Sequence, residues 1–316
     1  MIKHALICGV SGQDGSYLAR FLLSKGYEVW GSSRDAEGSS FTNLQKCGIK
    51  NQIKVISMIP EDFRSVLVAF RKSVPDEVYY LAGQSSVGLS FEQPAETIQS
   101  IALGTLNVLE ASRMLDKKPK IYFAGSSECF GDTMGLPANE LTPFHPKSPY
   151  AVAKVSAFWL VNNYRTAYGL FVCTGILFNH ESPLRPKRFV TQKIISTAKR
   201  IAQGSNEILE LGKLDISRDW GWAPEYVEAM WLMLQQDVAE DFVISTGETN
   251  SLAVFVAEVF EQLGLESHKY VKQNPELIRP SDVLLSVGDS SKARLKLGWQ
   301  AKYKMKDIIR MIISSV

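Results

Sequence analysis

Histidine and cysteine are both scarce in this 316-residue chain. The four histidines, His4, His145, His180 and His268, never fall at i,i+4, so no helix presents a pair of imidazoles and no metal site is expected. The four cysteines, Cys8, Cys47, Cys129 and Cys173, lie far apart with no Cys-x-x-Cys spacing, which reads as free buried thiols in a reducing compartment. Excess charge is missing too. With 35 basic residues against 33 acidic ones there is no general argument for nucleic acid or an anionic membrane as partner, although a local basic pocket is permitted. No apolar run approaches the ~20 residues of a membrane span. Repeats, low-complexity tracts and obvious linkers are absent. The first eight residues lead straight into a glycine loop and leave no room for a signal peptide, so a cytoplasmic location is expected.

What remains is a chain with 45% hydrophobic residues, enough for a real core in one large domain or two smaller ones. Residues 5–9 read as a buried strand, followed by Gly9-Val-Ser-Gly12-Gln13-Asp14-Gly15 and a helix over 17–25 closed by Gly26. Strand, glycine loop and helix in this order form a dinucleotide fingerprint: the glycines admit a pyrophosphate, which rests on the N–H groups of the helix start. The spacing is Gly-x-x-Gly-x-x-Gly, and a plain glycine-rich turn is the bland alternative. A second strand, 28–31, runs into Ser32-Ser33-Arg34-Asp35. Ser33 and Arg34 favour the 2′-phosphate of NADP, while Asp35 keeps NAD open. Further strands are expected at 54–57, 77–81, 120–124 and 170–177, with helices at 62–72, 97–115 and 150–168. After the fourth strand, Leu81-Ala82-Gly83-Gln84-Ser85-Ser86 offers mostly small residues to lie under a cofactor. This alternation predicts an α/β fold: a doubly wound parallel sheet of Rossmann type with right-handed crossovers. Residues 1–178 are assigned to that NAD(P)-binding domain, with 215–246 returning to it, and 179–316 mainly to a smaller substrate lobe. In the lobe, helices are expected at 189–203, 226–236, 252–263 and 304–315, with short strands at 208–211 and 241–245.

The chemistry concentrates between Phe123 and Lys154. Tyr150 and Lys154, four apart in a helix, share a face, and the ammonium there is expected to favour the phenolate. A helix-surface pair is the bland reading of that spacing. Ser126 and Glu128 follow a strand and so belong at the carboxyl end of the sheet, where open α/β sheets bind ligands. A phenolate beside a nicotinamide suggests oxidation of an alcohol, with Ser126 on the same oxygen. Glu128 is surplus to a simple dehydrogenase. Next to a new ketone it can take the acidified C–H proton and drive loss of a β-hydroxyl as water; a solvated loop carboxylate is the alternative. Arg185, Lys193, Arg218 and Arg279 are candidates for a diphosphate.

Long matching stretches accompany these residues. They include Gly125-Ser-Ser-Glu-Cys-Phe-Gly131, Ser148-Pro-Tyr-Ala-Val-Ala-Lys154, Asn179-His-Glu-Ser-Pro183, Arg218-Asp-Trp-Gly221 and Leu297-Gly-Trp299. By these the chain resembles the extended short-chain dehydrogenase/reductases, and among them the GDP-mannose 4,6-dehydratase family. The resemblance implies a GDP-linked sugar (mannose or a heptose) converted to its 4-keto-6-deoxy form, with NADP cycling internally and NAD possible. It implies roles for Ser126 at the 4-hydroxyl, Glu128 as C5 base, Tyr150 as redox base and Lys154 on the nicotinamide ribose. Gly9, Gly12, Gln13, Asp14, Gly15, Arg34, Leu81, Ala82 and Gln84 would hold the cofactor. Ser85 and Asn179 would meet the sugar nucleotide, Val190 and Lys193 the guanine, and Arg218 and Arg279 the diphosphate. A homodimer is implied as well. The chain departs from the family at four places. Arg34-Asp35 replaces an Arg-Arg pair, Ile59 replaces an adenine-contacting Asp, Gln192 replaces an arginine, and loop 36–40 lacks the pattern that reaches a neighbouring subunit, which argues against a tetramer. A GDP-sugar C4 oxidoreductase or epimerase on the same fold, and a non-catalytic nucleotide-sugar binding protein, are the alternative functions.

Overall fold

The computed structural model describes residues 2–315. Twelve strands are ordered among them: β1 His4–Cys8, β2 Glu28–Ser33, β3 Lys54–Ser57, β4 Glu77–Tyr80, β5 Lys120–Ala124, β6 Val172–Leu177, β7 Asn179–Glu181, β8 Leu209–Leu211, β9 Ser217–Trp222, β10 Phe242–Ile244, β11 Thr249–Ser251 and β12 Val271–Gln273. Seven form one sheet in the order β3-β2-β1-β4-β5-β6-β10, and every pairing in it is parallel. Successive side chains of a strand leave opposite faces, so the central strands feed two cores. Ala5, Ile7, Tyr79 and Tyr122 pack beneath the helices Gln13–Ser24 and Ala223–Leu234, whereas Leu6, Cys8, Tyr80 and Phe123 pack beneath Phe63–Ser73, Gly104–Arg113 and Pro149–Tyr168. Helices on both faces of a parallel sheet make the doubly wound architecture that the alternation predicted.

The expected helix over 97–115 is a helical run from Pro94 to Arg113, interrupted by a widened turn at Gln99–Leu103. Its cause is local: the Tyr80 hydroxyl donates to the Ser100 carbonyl at 2.9 Å, and a Cβ at Gly104 would lie 2.1 Å from that hydroxyl. A side chain inserted into the backbone ladder is a recognised source of such bulges.

Beyond β6 a single residue, Phe178, carries the chain into a second sheet, β11-β9-β7, and β8 pairs with β12 in a third. Sequence patterning did not anticipate β7, β9, β11 or β12, nor the short helices Thr42–Lys46, Val87–Glu92 and Ser291–Leu297. Over the lobe sheet, the helices Val190–Ala202, Leu252–Gln262 and Met305–Ser314 bury Ile194, Ile195, Phe255, Phe260, Ile308 and Ile312. The result is a cleft between the lobe and the carboxyl ends of β1 to β6.

Candidate active site

The glycine loop forms the floor of one half of the cleft. Gly9 has φ +87°, and a Cβ there would stand 3.0 Å from the Ala82 backbone. At Gly15 it would stand 2.4 Å from the Gly9 carbonyl oxygen, so the helix start can approach the loop only as glycine. That helix begins at Gln13 with no side chain capping it, leaving its first N–H groups for a ligand. Around this floor lie Gly12, Asp14, Ser32, Ser33, Arg34, Leu81, Ala82 and Gln84. The cradle fits a dinucleotide pyrophosphate. Asp35 does not line it; its carboxylate instead accepts from the N–H groups of Glu37 (3.0 Å) and Gly38 (2.8 Å). Arg34 does line it, and meets Glu96 at 3.6 Å in an exposed pair.

An adjoining cavity shares Asp14, Leu81, Ser85, Arg185, Arg188 and Phe189 with the first. Into it open Ser126, Glu128, Tyr150, Lys154, Asn179, Val190, Arg218 and Arg279. Val190 comes from the start of the helix Val190–Ala202 and Arg279 from a loop, and four further elements supply the rest. Ser126 ends the β5 turn, its hydroxyl accepting from the Glu128 N–H at 3.3 Å, which fixes both residues in one bend. Pro149 opens the helix that carries Tyr150 and Lys154, with Ser148 accepting from the Ala151 N–H at 3.1 Å as its cap. Asn179 starts β7, and Arg218 lies on β9. Lys193 is not among the lining residues: its ammonium donates to the Glu210 carbonyl at 2.6 Å in a neighbouring groove.

Burial governs the electrostatics. Lys154 is pushed down to about 8 by desolvation, partly opposed by Cys129 and Asp14; it donates to the Ala124 carbonyl at 2.7 Å and sits 5.7 Å from the Tyr150 ring centre. The expected acidification of Tyr150 is not found. Burial drives this phenol above its ordinary value, opposed first by a hydrogen bond with Ser126 and then by the charge of Arg185. Burial also raises Glu128, against the pull of Arg218 and Arg279. Both arginines share one counter-ion: Asp282 meets Arg218 at 2.9 Å and Arg279 at 3.7 Å. Arg218 is only 5% exposed and also donates to the Ser217 and Val283 carbonyls.

One pair escaped the sequence reading. His180 donates from Nδ1 to the Phe178 carbonyl at 2.8 Å and from Nε2 to Asp14 at 2.9 Å, so with both ring nitrogens donating it is an imidazolium. Burial pushes Asp14 up, yet His180, Gln13 and Arg185 together outweigh it and hold the carboxylate at about 2. Burial pulls His180 down, yet Asp14 outweighs it and holds the ring above its ordinary value. The histidine's contribution to stability is therefore complete below the unfolded value of ~6.5 and lost as pH rises through the higher folded value. The aspartate's is complete above ~3.9 and lost as pH falls through about 2. Urea unfolding of the native protein across about pH 6 to 9 should show a decline above neutrality that His180→Gln lacks. An equal decline in both would remove the ion pair as its source.

A model of the family described as GDP-mannose 4,6 dehydratase matches residues 6–312. The chain belongs to that family. Similar members include GDP-mannose 4,6 dehydratase 2 of Arabidopsis thaliana, 45% identical over 98% of this chain and 86% of the relative. GDP-mannose 4,6-dehydratase of Vibrio cholerae is 42% identical over 98% of this chain and 92% of its own. Among solved structures, UDP-glucose 4-epimerase of Thermus thermophilus in complex with NAD superposes with TM-score 0.84 at 26% identity, covering 99% of both chains. In this GDP-mannose dehydratase family member, no helix among the described residues is long and apolar enough to cross a membrane, and no group of three or more metal-ligating side chains gathers.

Proposed function

We propose that this chain is a GDP-sugar 4,6-dehydratase, acting on GDP-mannose or a GDP-heptose with NADP held in the glycine-loop cleft. The observation that carries the reading is one cavity holding Ser126, Glu128, Tyr150 and Lys154, with Arg218 and Arg279 on its lobe side. Bound beside that cavity, an oxidised nicotinamide supplies a hydride acceptor, a positive charge near the phenol, and the same hydride for return. Lys154 and that charge offset the burial of Tyr150, which takes the C4 hydroxyl proton while Ser126 hydrogen-bonds the same oxygen. Glu128 removes the proton at C5, acidified by the C4 ketone, and the electron pair left on C5 expels the C6 hydroxyl, which takes that proton back from the Glu128 carboxyl and leaves as water, restoring the carboxylate. Arg218 and Arg279 exchange Asp282 for the diphosphate, and Asn179 and Val190 flank the sugar nucleotide. Gly9, Gly12, Gln13, Asp14, Gly15, Leu81, Ala82 and Gln84 form the cofactor cradle. Ser33 and Arg34 line it and Asp35 is occupied elsewhere, which supports NADP over NAD. A homodimer through the helical run 94–113 and the helix Pro149–Tyr168 accounts for the exposure of Ile98, Val152 and Trp159.

Incubation with GDP-mannose and catalytic NADP tests the reading by mass. The product should be one water lighter, with no net reduction of cofactor. A product of unchanged mass would instead favour an epimerase, and one lighter only by a hydride and a proton, with matching reduction of cofactor, a C4 oxidoreductase.

A further inference from the structure

Three carboxylates line the catalytic cavity: Asp14, Glu128 and Glu181. Asp14 is paired with His180, and Glu128 is the base of the proposed reaction. Glu181 has no part in that chemistry. It is nonetheless only 2% exposed, and burying an ionisable side chain is costly unless its oxygens find donors. One of them does. Oε2 accepts from the Thr191 hydroxyl at 2.7 Å and lies 3.6 Å from Arg185 Nε. Oε1 has no hydrogen-bond partner among the described residues and stays open to solvent in the cavity. Burial raises this carboxyl, opposed first by Arg185 and then by the Thr191 hydrogen bond.

The strand decides where that oxygen points. Successive residues of β7 leave opposite faces, so His180 turns to Asp14 while Asn179 and Glu181 share the cavity face. In the register with β9, Asn179 stands opposite Trp220 and Glu181 opposite Trp222, which makes Glu181 the farther of the two from Arg218. A carboxylate belongs there, away from the diphosphate that its charge would repel. Asp14 and Arg185, which flank this end, line the cofactor cleft as well, so it is the reacting end of the substrate that comes here.

We infer that Glu181 binds the sugar, with Oε1 accepting from the C2 or the C3 hydroxyl. These are the ring's remaining donors once the C4 hydroxyl is held by Tyr150 and Ser126 and the C6 hydroxyl departs. Thr191 and Arg185 hold the carboxylate from behind, so the acceptor is in place before the sugar arrives. The inference rests on the GDP-sugar reading and adds to it a residue that selects the sugar.

The full-length protein loaded with NADPH, which cannot accept a hydride, is titrated calorimetrically with GDP, with GDP-mannose and with two analogues lacking the 2- or the 3-hydroxyl of the mannose. The native protein should bind one analogue about 10- to 100-fold more weakly than GDP-mannose, the range for a hydrogen bond to a charged group. Glu181→Ala should weaken GDP-mannose by that factor, leave GDP and NADPH affinity unchanged, and no longer separate the analogue from GDP-mannose. Glu181→Gln keeps the shape and a neutral acceptor, so it should fall between the two. Retained GDP binding is the folding control in each variant. Equal loss of GDP and GDP-mannose in Glu181→Ala overturns the inference by moving the carboxylate to the nucleoside, and loss of NADPH alone overturns it by moving the carboxylate to the cofactor. Discrimination that survives in Glu181→Ala, or that the native protein lacks, also overturns it while leaving the GDP-sugar reading intact. Failure of the native protein to bind either GDP or GDP-mannose overturns that reading and the inference with it.

Discussion

Glu128→Gln should abolish water loss, lowering it by at least about a thousandfold, while the protein stays folded and still binds both nucleotides. Glutamine keeps the shape of the side chain and removes only its ability to accept a proton. Glu128 is half-buried in the cavity wall on the bend that Ser126 caps, so an isosteric change disturbs little there. Oxidation at C4 needs Tyr150 and Ser126 and not this carboxylate. The variant should therefore accumulate a 4-keto hexose nucleotide of undiminished C6, with stoichiometric reduced cofactor visible by absorbance. In deuterated water the native product should carry deuterium at C5 and the variant's substrate none. The pH profile adds a second check. Burial raises Glu128 above the ordinary carboxylate range, and only the ionised form acts as base, so the acid limb of native turnover should fall at a pH above ~4.3. Dehydration surviving in Glu128→Gln would sink the base assignment.

Tyr150→Phe should remove the first step as well, with loss of turnover of roughly 10³- to 10⁴-fold and no 4-keto species at all. The phenol is 8% exposed, and its ring packs in the sheet-side core, so phenylalanine preserves the packing and deletes one oxygen. Neither neighbour can substitute. Lys154 holds its protons in a bond to the Ala124 carbonyl, and the Ser126 hydroxyl, which accepts from the Glu128 N–H, is too weak a base to take the C4 proton alone. Cofactor affinity, measured by titration, should change little. If Tyr150→Phe still released reduced cofactor with GDP-mannose, proton removal at C4 would belong to another group.

The sheet domain was legible because its signals are local. Buried strands, the glycine loop and amphipathic helices each announce themselves within a dozen residues, and Tyr150 with Lys154 needs only the helical repeat. The lobe was harder. Asn179–Glu181 is three polar residues whose strand character comes from pairing with Trp220 to Trp222, and no short-range pattern carries that. Arg218-Asp-Trp-Gly221 was quoted as a motif, and the strand Ser217–Trp222 that contains it was missed for the same reason. Charge pairing was invisible for a related cause. Asp14 meets His180 across 166 positions, and Asp282 meets Arg218 across 64, so neither partner could be inferred from spacing. Lys193 looked available as a cation, but folding gave its ammonium a backbone carbonyl. Tyr150 was expected to be acidic from a neighbour's charge, and burial, which depends on everything packed around it, reversed the sign.

The strand Phe242–Ile244 closes the edge of the large sheet against Val172–Leu177, six residues without one solvent-facing side chain. Between those two strands in sequence the chain builds part of the lobe and the helix Ala223–Leu234 that covers one face of the large sheet. A truncation ending at Phe178 would thus strip the sheet's outermost sticky apolar ribbon of its cover and present it to other copies, the arrangement that seeds aggregates. Expressing the front half alone should yield insoluble protein, whereas re-supplying the strand together with the helix Ala223–Leu234 by circular permutation should restore solubility.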